Sequence, residues 1–308
     1  MKSMMQGPDQ NVKMVASPFR FPVTGERKMN AETLYRHAEK SYDGVGRKRN
    51  LSRALRLYLA AAELGHVIAA CNAGWMISNG IGTRRDLKRA EKWLRQSAEW
   101  FRLAAKRNDS NAQYILGLMF FNGKGARRNL ARAFYWFGRS ARDDDFTIQS
   151  EAQHELGWVY LRGRGVKRNL RKAHFWFRKS ALGGNMYSQG NLALMYLRGN
   201  GVTRNLSKAF YWYQQSAKQR FPVAQYDLGV CYANGESVRP NMRRAIYWYR
   251  KAAENGHRLA QYVLGSRLLR GDGVRRDVRA AVVWLKKAKA QGHKEAARVL
   301  RREINREK

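Results

Sequence analysis

Cysteine is almost missing from this chain of 308 residues: Cys71 and Cys231 are its two, 160 residues apart. That is no disulfide framework. Free thiols suit a reducing compartment, and a cytoplasmic location is expected. Long apolar runs are missing as well. None approaches 18 residues, so no membrane span is expected. Proline is scarce, and Pro8, Pro18 and Pro22 account for three of the five. They fall in residues 1–30, which show no helical period and read as a flexible leader. The leader has no apolar core of a secretory signal. Its few acids and scattered Lys and Arg leave a targeting role open beside that of a plain tail. Acid is the scarcity with the largest consequence. Against 23 Asp and Glu stand 60 Lys and Arg, a formal net charge of +37. Such an excess predicts a polyanionic or acidic partner and says little about the fold.

What the chain has in plenty is one phrase, repeated: "GIGTRRDL", "GKGARRNL", "GRGVKRNL", "GNGVTRNL", "GESVRPNM", "GDGVRRDV". The first glycines, preceded by Gly44, are Gly80, Gly123, Gly163, Gly199, Gly235 and Gly271, at gaps of 36, 43, 40, 36, 36 and 36. A period in this range signals a solenoid. Six residues after each marker glycine stands Asn50, Asp86, Asn129, Asn169, Asn205, Asn241 or Asp277, side chains suited to cap a helix start. Ten after stands alanine, and thirteen after stands Trp93, Trp136, Trp176, Trp212, Trp248 or Trp284, with Leu57 in the first unit. Before each marker another helix is expected, starting near a small residue (Ala69, Ala112, Ala152, Ser188, Ala224, Ala260). Six residues before the marker a second small residue (Gly74, Gly117, Gly157, Ala193, Gly229, Gly265) allows two helices to approach closely. The marker then suits the left-handed residue that ends a helix. Each unit is helix A, a turn, helix B and a link, and stacked neighbours must bury its apolar face. On helix B, positions 7, 10, 11, 14 and 18 after the marker form that face, with the tryptophan at its edge.

The stretch "AQYDLGVCYANGESVRPNMRRAIYWYRKAAENGH", from Ala224, resembles the Sel-one-like repeat, a relative of the tetratricopeptide repeat. The resemblance covers nearly all of the chain after the leader. It implies an all-α fold, an α/α solenoid of antiparallel helix pairs forming a right-handed superhelix. It places seven repeats at 31–66, 67–110, 111–150, 151–186, 187–222, 223–258 and 259–294, then a capping helix over 295–308. It further implies a non-enzymatic scaffold or adaptor that grips a protein partner, with no cofactor. Departures stand out: Ser237 replaces the second turn glycine, and extra residues near 100–110 and 142–150 lengthen helix B or bulge as loops.

Several motifs tempt and fail. The turn's G-x-G lacks the third glycine and the preceding strand of a dinucleotide site. His66, His257 and His293 share one phase of the repeat, so they share a structural duty at a helix end rather than converge on a metal. Cys71 and Cys231 sit among small apolar residues as buried thiols. Asp143, Asp144 and Asp145 read as a solvated loop or helix start, with weak cation binding as the alternative. No nucleophile, base and orienter can be named together, so no catalytic residue is assigned and a hydrolase ranks last.

The basic residues have two placements. One is the turn: Arg84, Arg85, Arg127, Arg128, Lys167, Arg168, Arg204, Arg239, Arg275 and Arg276. Cations favour the end of helix A and oppose the start of helix B, so the dipole effects cancel and binding is a live reason for them. The other is the outer face of helix B, in four consecutive units: Arg132-Tyr135-Arg139, Lys172-Phe175-Lys179, Lys208-Tyr211-Gln215 and Arg244-Tyr247-Lys251. If exposed, those rings could stack unpaired bases beside the cations, which makes nucleic acid or another polyanion the alternative partner.

Overall fold

The computed structural model describes residues 30–306 except 45, 47 and 143–145. The leader and the Asp143–Asp145 run lie outside the described residues. All regular elements among the described residues are α-helices: α1 Ala31–Asp43, α2 Leu51–Glu63, α3 Val67–Asn79, α4 Leu87–Lys106, α5 Ser110–Asn122, α6 Leu130–Ser140, α7 Phe146–Arg162, α8 Leu170–Leu182, α9 Met186–Arg198, α10 Leu206–Lys218, α11 Pro222–Asn234, α12 Met242–Glu254, α13 Arg258–Arg270, α14 Val278–Ala290 and α15 Lys294–Arg306. The chain divides into two compact units, one comprising the described residues up to 159 with 163–167, the other 160–162 with 168 onward. Each is an α/α solenoid in which consecutive helices pack as antiparallel pairs. Helices α1, α3, α5, α7, α9, α11 and α13 are the A helices; α2, α4, α6, α8, α10, α12 and α14 are the B helices.

Local chemistry explains the repetition. In the first unit Gly44, Gly80 and Gly123 end α1, α3 and α5 at φ 77, 69 and 69°. In the second, Gly199, Gly235 and Gly271 end α9, α11 and α13 at φ 73, 73 and 74°. Two residues on, Gly201 repeats the left-handed conformation at φ 71°, and a Cβ there would strike the backbone carbonyl of Leu170. The cap residue follows: Asn205 Oδ1 accepts from the Lys208 N–H at 2.8 Å, while its own N–H returns to the Tyr196 carbonyl at 2.9 Å. Asn50, Asp86, Asn129, Asn169, Asn241 and Asp277 do the same at the starts of the other B helices.

Packing follows from the small residues. Cβ atoms added at Gly74 and Gly117 would lie 2.7 Å from Leu94 and 2.6 Å from Phe137. Gly229 and Gly265 stand against Tyr249 and Leu285 in the same way, at 2.7 and 2.8 Å. The B helices bury one stripe, as in α10 with Ala209, Tyr213, Ser216 and Ala217. The tryptophans at their edges are half-buried, with Trp212, Trp248 and Trp284 packed on the core of the second unit. α15 buries Ala296 and Leu300 on Leu285 and Ala288 of α14.

Two expectations shift. The expected A-helix starts Ala69, Ala112, Ser188, Ala224 and Ala260 are the third residues of their helices, and all but Ala224 receive a side-chain capping hydrogen bond. The extra residues near 100–110 lengthen helix B, giving α4 its 20 residues. Those near 142–150 do otherwise. α6 stays short at 11 residues and α7 reaches 17, so there an A helix starts earlier.

Candidate interaction surfaces

The links between units set the B-to-A geometry. His66, His257 and His293 are N-caps: each Nδ1 accepts from the backbone N–H three residues on, at 3.1, 3.2 and 3.2 Å. Each ring also lies on a tyrosine of the preceding A helix, Tyr35, Tyr226 or Tyr262, with centroids 4.4, 4.9 and 4.3 Å apart. Burial pushes the His257 imidazole down to about 4, which keeps it neutral and able to accept. α11 differs, because Phe221 stands in the cap position and makes no side-chain cap bond. There Gly190 replaces the tyrosine and leaves room for the Phe221 ring.

A glutamine ladder runs beside these links, and sequence reasoning missed it. In the second unit Gln189, Gln225 and Gln261 donate through Nε2 to the carbonyls of Ala181, Ala217 and Ala253, at 3.1–3.2 Å. Gln113 and Gln153 repeat the bond in the first unit, to Ala105 and Ala141. The side chains of Gln219, Asn255 and Gln291 donate in turn to the Oε1 of Gln189, Gln225 and Gln261, each at 2.9 Å. The signal was present as a glutamine ten residues before five markers. It satisfies backbone carbonyls at helix ends, so it holds the stack.

The turn cations divide in two. Arg168, Arg204 and Arg276 donate from Nε to the carbonyls of Leu161, Leu197 and Leu269 at 3.1–3.2 Å. These arginines cap orphan carbonyls at the end of helix A. The expectation that helix stability makes no use of the turn charge is therefore corrected for them. Arg84, Arg85, Arg127, Arg128, Lys167, Arg239 and Arg275 are exposed. Among the described residues, acids pair with Arg36, Arg95, Arg102, Lys251, Arg267, Arg270, Arg298 and His66, and with none of the turn cations.

The outer face of helix B is ordered by cation–aromatic contacts. In the first unit the Arg132 guanidinium lies 5.5 Å from the Phe120 ring centroid, and Tyr135 is 54% exposed. Arg139 donates to the Tyr135 hydroxyl at 3.3 Å and also to Asn108. In the second unit Lys172, Lys208 and Arg244 lie over Tyr160, Tyr196 and Tyr232 at 5.3, 5.5 and 5.5 Å. Phe175, Tyr211 and Tyr247 are 50, 51 and 54% exposed. Among the described residues no neighbouring helix covers them. Each meets the adjacent tryptophan edge-on, and Lys179 and Lys251 lie over Phe175 and Tyr247 at 5.2 and 5.9 Å. The stripe thus offers four half-exposed rings, two of them already beneath a cation.

Cys71 and Cys231 are buried thiols outside any disulfide, each pushed up to about 12 by burial. A protonated, inaccessible thiol is a poor nucleophile. Among the described residues no three His, Cys, Asp or Glu gather as a metal site, and no helix is long and apolar enough to cross a membrane.

Stacked helical hairpins with repeated turns and an exposed basic edge define a helical repeat protein. The Sel1 repeat model matches residues 31–66, 67–99, 95–109, 110–145, 150–185, 187–221, 222–257 and 258–293, and the chain belongs to the Sel1 repeat family. The short match at 95–109 takes in the added length of α4. Among solved structures the chain is similar to a Sel1 repeat protein from Oxalobacter formigenes. Identity is 28% and the TM-score 0.63, over 88% of this chain and 75% of that one. It is also similar to a protective antigen of uropathogenic Escherichia coli strains that displays an SLR fold, at 29% identity and TM-score 0.59, over 87% of this chain and 63% of that one. The chain therefore spans less than two thirds of that antigen. No curated protein matches. Sel1 repeat proteins are generally protein-interaction scaffolds and typically not enzymes.

Proposed function

We propose that this chain is a non-enzymatic adaptor whose A-helix row and turn edges hold an acidic protein partner. The observation that carries this reading is the set of exposed turn cations that, among the described residues, form no ion pair with an acid. The protein keeps an unneutralised basic edge, and desolvating it against carboxylates in an interface stabilises a complex through complementary charge. The experiment is capture from a nuclease-treated lysate at rising salt. Discrete acidic proteins should be retained and then released as salt screens the edge. Recovery of nucleic acid alone, and of nothing after nuclease, overturns the reading.

The exposed rings of Tyr135, Phe175, Tyr211 and Tyr247 support a second reading, polyanion binding along helix B. Bases stacked on open aromatic faces contribute about 1–3 kcal/mol each. Here Lys179 and Lys251 lie over two of the rings, so the electrostatic part should dominate. Binding of a single-stranded oligonucleotide should then fall steeply with salt. Tyr211→Ala with Tyr247→Ala should change it little. No binding at low salt removes this reading.

A further inference from the structure

One groove in the first unit combines charge with apolar surface. It encloses about 730 Å³ between the ends of α3 and α5, the first half of α4 and the two adjoining turns. Leu87, 57% exposed, is its open apolar side chain, above the buried Trp75, Leu94, Leu118 and Met119, and Arg85, Lys124 and Arg127 line it with positive charge. Arg95 also lines it, but Glu91 neutralises that residue at 2.6 Å.

The groove holds its lysine in place. Asn79 donates through Nδ2 to the Trp75 carbonyl at 2.8 Å and to Ser78 Oγ at 3.3 Å. That fixes the amide so that Oδ1 accepts from Lys124 Nζ at 3.4 Å. Lys124 is half-buried. Burial and the neighbouring Arg85 push its pKa below the usual lysine value. Arg85 itself makes no bond like those of Arg168, Arg204 and Arg276 to the end of its A helix, although it occupies the same place in the turn. Lys124 and Arg85 therefore face one groove whose lining acid, Glu91, is paired with Arg95 instead. A charge pair so placed is relieved by an anion that sits between them.

We propose that this groove receives an acidic segment of the protein partner, with a carboxylate seated between Lys124 and Arg85 and a neighbouring apolar side chain on Leu87. The proposal rests on the adaptor reading above and gives it a site. The open apolar surface of Leu87 is what favours a peptide over a bare polyanion, because a nucleic-acid backbone brings no apolar side chain to cover it.

The test uses the full chain and a capped peptide alternating Glu with Leu, beside a twin with Gln for Glu. Amine acylation at pH 8 is followed by mass spectrometry. Lys124, with its depressed pKa, should react faster than the exposed Lys286 of α14, and the acidic peptide should slow Lys124 at least threefold while leaving Lys286 unchanged. Affinity for the peptide should drop about tenfold in Arg85→Gln with Lys124→Gln. It should change less than twofold in Arg301→Gln with Arg302→Gln, two exposed residues of α15, and all variants should retain the parent's circular dichroism. Equal losses in both double variants mean diffuse attraction: the groove is wrong while the acidic-partner reading survives. Equal protection by the Gln twin removes the carboxylate, and equal protection by oligouridylate makes the ligand a phosphate chain; either overturns the proposal. If no acidic peptide binds at low salt, the groove and the adaptor reading fall together.

Discussion

The two junctions of the repeat, the A-to-B turn and the B-to-A link, both contain a residue with positive φ, yet they tolerate change differently. In the turn, a Cβ at Gly82 or Gly125 would lie 2.5 Å from the backbone carbonyl of Leu51 or Leu94, and Gly201 is blocked by Leu170. In the link, Gly65, Gly184 and Gly256 face open space, and Asn108 and Arg220 adopt φ 65 and 66° in the same role. Left-handed backbone alone costs an L-residue roughly 1–2 kcal/mol. Conformation plus a backbone wall costs more, because backbone cannot rotate away as a side chain can. The turn is therefore written almost identically in every unit. The link varies between Gly, Asn and Arg, and its cap between His, Asp, Asn and Phe.

The largest effect should separate the two. Gly201→Ala is expected to cost about 3 kcal/mol, strain plus displacement of α8, while Gly256→Ala costs about 1 kcal/mol. Denaturant midpoints for the pair measure this, and equal losses would erase the distinction. Acid should act next, through the link. His257 is pushed down to about 4 in the folded chain, against about 6.5 unfolded. The unfolded state therefore binds the extra proton, and this contribution to stability is complete above about 6.5 and is lost as pH falls toward 4. Thermal midpoints measured from pH 7 to 5 should fall less in His257→Asn, which keeps a capping oxygen.

Gains should follow where the left-handed residue is not glycine. Ser237→Gly in the turn and Arg220→Gly in the link should each stabilise by about 1 kcal/mol, as thermal unfolding would register. A neutral result at Ser237 would show that its turn has relaxed around the side chain. The smallest effect belongs to Arg204→Gln, which removes the bond to the Leu197 carbonyl. A solvent-exposed hydrogen bond of this kind contributes about 0.5–1 kcal/mol, readable in the same denaturant series.

The repeat, its caps and its helix-ending glycines were legible because they are local. An asparagine three residues before the N–H it accepts from needs no distant partner, and a marker glycine announces its own φ. The charge was legible as an amount, and its two placements as spacing. Less legible was what each cation touches. Arg204 and Arg85 read alike in sequence, yet one caps a carbonyl and the other lines a groove. The glutamine ladder was visible as a period and opaque as a role, because its acceptors are carbonyls left open only where helices end.

Sequence by itself determined the period, the helix pairs, the turn conformation and the excess of basic charge. These follow from backbone sterics and hydrogen bonds that close within one hairpin. Tertiary structure alone decided that Tyr135, Phe175, Tyr211 and Tyr247 stay half in solvent, that an A helix and not a B helix takes the residues added near 146, and that Lys124 and Arg85 share one groove. Each of these depends on where a neighbouring unit's atoms lie, and burial and electrostatic repulsion are properties of that arrangement rather than of any one segment.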